Sequence, residues 1–530
     1  MNMSQLLLSQ SVLFFLLCIS CSVSPLNLHG DQIIGSSSRP ADPSPLPGSF
    51  LFGTSSSSYQ FEGAYNSDGK GPSNWDVYSH KEGNIIVDGS NGDVAVDHYH
   101  RYLEDIGLMV GLGVNSYRFS ISWARILPKG RFGGINMDGI DYYNKLIDAL
   151  LSRGIQPFVT LNHFDIPQEL EDRYGGWLSP LSRLDFRYFA DICFKYFGDR
   201  VKHWITFNEP NLLTILGYRK GEFPPSRCSS QFGNCTTGDS DKEPFIVAHN
   251  LILSHAAAAY TYRKKYQKAQ KGTIGIVLHA AWFEPISDSV EDKLASERAL
   301  SFFMNWFLDP IIFGRYPREM VEILGNTLPQ FSGKQLEKLR RSGLDFIGVN
   351  HYTSHYVQDC LFSDCNEPGK GATWSEGYYW QTSIGQTTNL PWLNIFPEGM
   401  EKMVNYIKER YNNTPIYITE NGLGELEDPK LRKDVSLQDV KRVEYMEGHL
   451  NSLIKAVRNG ADVRGYFAWS LLDNFEWNFG YTVRFGLHHV DYKTMMRTPR
   501  LSASWYREFI TKHKKMHMVT SSDNLEKSWY

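Results

Sequence analysis

The chain has 530 residues, enough for one large domain or two modest ones. Its net charge of −4, from 54 Lys and Arg against 58 Asp and Glu, has no sustained basic run except around Lys512–Lys515. That argues against a nucleic-acid partner, because phosphate binding needs a positive stripe. The aromatic fraction of 14% is high; most rings belong in a core, but sugar clefts also use them against the C–H face of a pyranose.

Residues 1–24 read as a secretory signal peptide, with an apolar run from Leu6 to Ile19 followed by Ser20–Ser24. Once it is cut no membrane segment is expected. The route then leads to the cell wall or extracellular space, with the vacuole as an alternative, and Glu526–Tyr530 carries no retention tetrapeptide. Residues 25–48, rich in Ser, Pro and Gly, read as a loose lead-in. A single domain spans 49–512, and 513–530 form a C-terminal tail. Cys228 and Cys235 flank a Ser/Gly/Asn-rich loop and are expected to pair; Cys360 and Cys365 could form a second bridge, and Cys193 reads as a buried thiol. No cysteine spacing suggests a metal site. Asn234 and Asn412 head Asn-x-Thr sequons, glycan acceptors in a secreted chain.

Structure begins with a strand near Phe52, a stretch ending in Gln60-Phe61-Glu62-Gly63, and a loop holding Trp75-Asp76. A helix pattern covers His98–Gly111. Strand and helix patterns then alternate: strand Val114–Ser120, helix Asp138–Arg153, strand Ile155–Leu161, helix Leu181–Phe197, strand Val201–Asn208, helix Phe245–Ala269, strand Thr273–His279. Strand Leu344–Val349, helix Pro397–Tyr411, the strand entering Glu420, helix Val440–Asn459 and strand Val463–Trp469 complete the series. Eight strands with helices between them predict a single (β/α)8 barrel of the α/β class with elaborated βα loops. An open doubly wound sheet is the rival, but no Gly-rich phosphate loop follows the first strand.

In such a barrel functional groups sit at the carboxyl ends of the strands. Polar or aromatic residues fall there repeatedly: Gln60, Arg118, His163, Asn208 with Glu209, Asn350 with Tyr352, Glu420 and Trp469. Two of these tips share one form, Thr206-Phe207-Asn208-Glu209-Pro210 and Ile418-Thr419-Glu420-Asn421-Gly422. Two carboxylates in a pocket with amides, a His and Trp rings fit cleavage of a glycosidic bond: one protonates the leaving oxygen, the other stabilises the oxocarbenium-like centre. Arg118 and the Tyr352 hydroxyl are expected to lower the pKa of Glu420 for attack, whereas Glu209 needs a raised one to act as acid.

The two motifs resemble the signatures of family 1 glycoside hydrolases. The likeness runs from Phe50 to Lys512 through Asn162-His163, Asn350-His351-Tyr352 and Trp469-Ser470-Leu471-Leu472-Asp473-Asn474-Phe475-Glu476-Trp477. It implies Glu209 as acid/base and Glu420 as nucleophile of a retaining double displacement, with no cofactor. By the same likeness Gln60, His163, Asn208, Glu476 and Trp477 bind glucose hydroxyls, and Trp469 is the platform under the ring. Arg118, Asn350 and Tyr352 brace the nucleophile, and Trp392 and Phe485 line the mouth.

Glu at 209, where plant thioglucosidases carry Gln, favours an O-glycosidase, and Glu476 favours a sugar without a 6-phosphate. The chain resembles plant β-glucosidases, and Asp165-Ile166-Pro167-Gln168-Glu169-Leu170 resembles the subgroup acting on monolignol glucosides such as coniferin. The expected partner is thus a small β-glucoside. Alternatives of the same fold are a glucosidase of short gluco-oligosaccharides, a transglucosidase, or a sugar-binding protein without turnover, the last disfavoured because neither Glu is lost.

Overall fold

The computed structural model describes residues 41–83, 85–363, 373–427, 430 and 432–526. The expected signal peptide, most of the lead-in, and Cys365 lie outside the described residues.

Eight strands close into a parallel barrel: β1 (Leu51–Ser55), β2 (Ser116–Ser120), β3 (Gln156–Asn162), β4 (His203–Asn208), β5 (Thr273–His279), β6 (Phe346–Asn350), β7 (Ile416–Asn421) and β8 (Val463–Ala468). Each strand pairs with its sequence neighbours, and β1 pairs with β8 to close the ring. Apart from the first residues of β3, β4, β5 and β8's Arg464, every strand position is buried, so the strands read as apolar runs rather than alternating ones. The floor of the barrel is one apolar layer drawn from seven strands: Leu51, Phe158, Ile205, Val277, Phe346, Tyr417 and Phe467. The Phe158 ring sits among Phe346, Tyr417 and Phe467 at centroid distances of 5.4, 5.1 and 5.2 Å. Gly53 of β1 leaves the space that the Phe467 ring fills; a Cβ there would collide with it.

Helices pack around the outside of the ring. They include α1 (His98–Leu112), α2 (Met137–Ser152), α3 (Ser182–Phe197), α4 (Pro210–Tyr218), α5 (Glu243–Lys265), α6 (Glu398–Arg410), α7 (Val440–Arg458) and α8 (Leu501–Glu526). The predicted ranges of α1, α2, α3, α5, α6 and α7 agree within a few residues, the usual uncertainty of helix ends; α4 and α8 are not among the predicted helices. None of the described helices is long and apolar enough to cross a membrane. Several elements differ from expectation. Trp75-Asp76 lies in a short helix, Asn74–Ser79, because Ser73 and Asp76 form a capping box that satisfies two backbone N–H groups. The βα loops add a three-stranded sheet of Trp282–Pro285, Ser354–Asp359 and Tyr379–Ser383. The expected tail after residue 512 continues α8 without a break. The end of the lead-in is packed rather than loose, since buried Leu46 gives its carbonyl to His513 and His517.

The two strands carrying Glu209 and Glu420 break register at their tips. β4 shifts against β5 between Ile205 and Asn208, and β7 shifts against both neighbours beyond Ile418. Such bulges re-aim the side chains that follow. They turn both carboxylates into the barrel mouth.

Candidate active site

At the carboxyl ends of the strands lies a cavity of about 710 Å³ lined by His163, Glu209, Tyr352, Trp392, Glu420, Trp469, Glu476, Trp477 and Phe485, among others. Its size suits a monosaccharide with an attached group. Gln60, Arg118, Asn208 and Asn350 lie behind this wall, each 1% exposed or less. All the predicted site side chains are therefore brought to one end of the barrel, in two layers.

Glu420 ends β7, with Arg118 from β2 donating to its Oε1 and the Tyr352 hydroxyl donating to Oε2 at 2.7 Å. Arg118 also donates to Asn208 Oδ1 at 2.5 Å. Asn350 Nδ2 donates to both Asn208 Oδ1 and Glu209 Oε1 at 2.9 Å, and its Oδ1 accepts from Thr419 at 2.7 Å. One continuous network thus joins Glu209 to Glu420 through Asn350, Asn208 and Arg118. Because Asn208 Oδ1 accepts from two donors, its Nδ2 must be the atom 3.0 Å from His163 Nε2. That nitrogen then accepts, the imidazole proton sits on Nδ1, and Nδ1 has no partner among the described residues. Burial, with Arg118 second, pushes the His163 pKa well down, so the ring is neutral.

Glu209 occupies the left-handed backbone region at φ 43°, immediately before Pro210 opens α4. Its Oε1 also lies 3.2 Å from His279 Nδ1. Its Oε2 has no hydrogen bond among the described residues. Burial is the largest influence on Glu420: together with the charge of Glu209 it outweighs Arg118 and Tyr352 and pushes the pKa up to about 7. The expectation of a lowered pKa is thereby corrected: a carboxylate stripped of water loses more than one guanidinium returns. Glu476 goes up to about 8, from burial and then the charge of Glu420. A sugar lodged here would meet three crowded carboxyl groups.

Gln60 accepts from Ser57 and donates to Asn474 Oδ1 at 2.9 Å and to the Phe475 carbonyl at 3.0 Å, fixing the turn that carries Glu476. Trp469 and Trp477 both stack against the His163 ring, at 6.0 and 5.9 Å between centroids. Phe485 and Trp392 both meet the Tyr352 ring edge-on, at 6.1 and 5.8 Å. Away from the site, Cys228 and Cys235 are bridged and Cys193 is a buried free thiol. The two sequon asparagines, Asn234 and Asn412, are exposed.

Sequence reasoning missed His279. It ends β5, the one strand for which no tip residue was proposed, and the rule used on the other seven would have found it. It also missed Asp473, buried beneath the loop between Trp469 and Phe485, where Arg484 and Arg500 both pair with it.

Comparison with known proteins agrees with this geometry. The model of glycosyl hydrolase family 1 matches residues 43–515. The chain is 59% identical to beta-glucosidase 47 of Arabidopsis thaliana, over 89% of this chain and 86% of that protein. It is 57% identical to a probable inactive beta-glucosidase 14 of Oryza sativa, over 89% and 92%, and 52% identical to a coniferin beta-glucosidase of Pinus contorta, over 91% and 94%. Among solved structures, a rice β-glucosidase mutant in covalent complex with glucose superposes with a TM-score of 0.84 at 46% identity, covering 88% of this chain and 99% of that one.

Proposed function

The chain belongs to glycosyl hydrolase family 1 and is a β-glucosidase of the plant type; within that activity we propose a retaining mechanism on phenylpropanoid glucosides, with monolignol glucosides such as coniferin favoured. The observation that carries the mechanism is the network joining Glu209 to Glu420. It puts the two carboxyl groups on one cavity and gives them different surroundings.

In the first step a Glu420 oxygen bonds to the anomeric carbon as the bond from that carbon to the glucosidic oxygen breaks. Glu209 gives that oxygen its proton, and the aglycone leaves as an alcohol or phenol. In the second step Glu209, now a carboxylate, takes a proton from water. The water oxygen bonds to the anomeric carbon, the ester to Glu420 breaks, and the product keeps the β configuration. Arg118 and the Tyr352 hydroxyl hold Glu420 in place for attack. The unbonded Oε2 of Glu209 is the atom available to carry the acid proton, while His279 and Asn350 hold its other oxygen. Trp469 supplies the face under the ring. Gln60, His163, Asn208, Glu476 and Trp477 take the hydroxyls, and the proton on His163 Nδ1, partnerless among the described residues, is donated to one of them. Trp392 and Phe485 flank the mouth where a flat leaving group stacks.

The substrate preference is supported by the coniferin β-glucosidase relative and by the aromatic mouth. The relative named probable inactive makes turnover itself the first measurement. A kinetic panel on the purified enzyme, with coniferin and syringin against short β-linked gluco-oligosaccharides, tests the rest: much higher kcat/KM on the oligosaccharides would withdraw the aglycone preference. NMR of the first-formed glucose reads the anomer, and α-glucose would overturn retention. We also propose passage through the secretory route, supported by the apolar run at 6–19, by the Cys228–Cys235 bridge and by the exposure of Asn234 and Asn412.

A further inference from the structure

Glu209 immediately precedes α4, and the residues of this helix that line the cavity follow one stripe: Leu212, Ile215 and Leu216, then Arg219 at the helix end. The spacing from 212 is 0, 3, 4 and 7, one face of a helix. Those three apolar side chains are half-buried, whereas Leu213, Thr214 and Tyr218, off the stripe, are buried in the protein. At a rise of about 1.5 Å per residue, the backbone of Arg219 lies roughly 15 Å along the axis from that of Glu209, whose carboxyl group protonates the glucosidic oxygen. A phenylpropanoid plus an extended arginine side chain fills such a span.

Arg219 is 4% exposed, and it forms no ion pair among the described residues. Two of its five N–H groups are engaged, Nη1 with Ser375 Oγ at 3.0 Å and Nη2 with the Ser375 carbonyl at 2.7 Å. Asp241, one of the two carboxylates whose charge reaches Arg219, accepts from Ser375 Oγ at 2.6 Å. A guanidinium sequestered this far, with donors to spare, gains from an acceptor presented by a ligand. Glu222 and Glu376 also line the cavity. Their charge disfavours an anion there and suits a neutral hydroxyl, which can accept from Arg219 and donate to a carboxylate.

We propose that α4 acts as a ruler for the aglycone: the leaving oxygen lies at Glu209, the apolar body runs along Leu212, Ile215 and Leu216, and Arg219 reads a hydroxyl at the remote end. Arg219 is then a specificity-determining residue for an alcohol-bearing phenylpropanoid. This rests on the phenylpropanoid reading above.

The test is a matched pair of β-glucosides, of coniferyl alcohol and of isoeugenol, which differ only by the terminal hydroxyl. Wild-type enzyme is expected to favour the first by about tenfold or more in kcat/KM, the range for a hydrogen bond to a charged group. In Arg219→Met the ratio is expected to fall to about threefold or less, and in Arg219→Lys to recover in part. p-Nitrophenyl β-glucoside, too short to reach Arg219, should be turned over alike by all three proteins. A wild-type ratio within about twofold overturns the proposal even if no variant folds, and so does a full ratio retained in Arg219→Met. Poor turnover of both glucosides beside gluco-oligosaccharides would instead sink the phenylpropanoid reading, while their ratio still reports on Arg219.

Discussion

Asn350 donates one amide group to Glu209 Oε1 and to Asn208 Oδ1 at the same distance, 2.9 Å. The side chain of one strand tip thereby fixes both residues of the Asn-Glu pair two strands away. Replacing Asn350 with Ala removes a donor from Glu209 and leaves Thr419 Oγ1 without its acceptor. We expect kcat to fall about 10- to 100-fold, in line with loss of one or two charge-assisted hydrogen bonds. A kcat within twofold of wild type would show that Glu209 holds its place without this amide.

The two carboxyl groups should respond differently to amide substitution. Glu420→Gln is expected to lose about four powers of ten or more in turnover on every substrate, because no nucleophile remains. Glu209→Gln should spare the first step for an activated aryl glucoside, whose leaving group needs no proton, and show an initial burst. Stopped-flow on activated and unactivated glucosides distinguishes them; equal loss on both contradicts the acid role of Glu209.

The raised pKa of Glu420 places the acid limb of kcat/KM, which reports the free enzyme, near pH 7 rather than near 4.5. A limb near 4.5 would mean that Arg118 and Tyr352 outweigh burial.

Glu476 also sets a pH dependence of stability. With its folded pKa about 8 and its ordinary value 4.5, the folded chain holds a proton that the unfolded chain has released between those values. Its contribution therefore falls as pH rises through that window. The difference in Tm between Glu476→Gln and wild type should widen in favour of the variant from pH 5 to pH 8. Taking the difference cancels the opposite trend of buried neutral histidines such as His255 and His351. A difference independent of pH would refute it.

Asp473 organises the loop that presents Trp469, Glu476, Trp477 and Phe485. Its oxygens accept from Arg484 and from both Arg500 Nη groups, and from the backbone N–H of Gly486 and Val490. The guanidinium groups of Arg500 and Arg484 overcome burial and hold its pKa down to about 2. Asp473→Asn leaves buried Arg500 without its ion partner and Arg484 with Glu427 alone, at a cost of about 3–5 kcal/mol. We expect a lower Tm together with a raised KM for glucosides, measured by calorimetry and steady-state kinetics. Unchanged values of both would show that the loop is set by its other contacts.

Much of the barrel and most of the site could be read from the chain. Strand tips such as Asn208-Glu209 and Glu420-Asn421 declare themselves because an apolar run that ends on a carboxyl group is costly unless that group has work to do. His279 could have been read the same way. The helix Asn74–Ser79 escaped because one capping box, rather than a long periodic pattern, supports it. The three-stranded side sheet escaped because its strands are far apart in sequence and only half-buried.

By itself the sequence determined the eightfold alternation, the family and the pair of Glu residues, since all three follow from local pattern and identity. Only the tertiary structure decided that Arg118 reaches Glu420, that Asn350 and His279 hold Glu209, and that burial drives the Glu420 pKa up. Those outcomes depend on which atoms of distant strands meet and on how much water they exclude, and neither quantity is local along the chain.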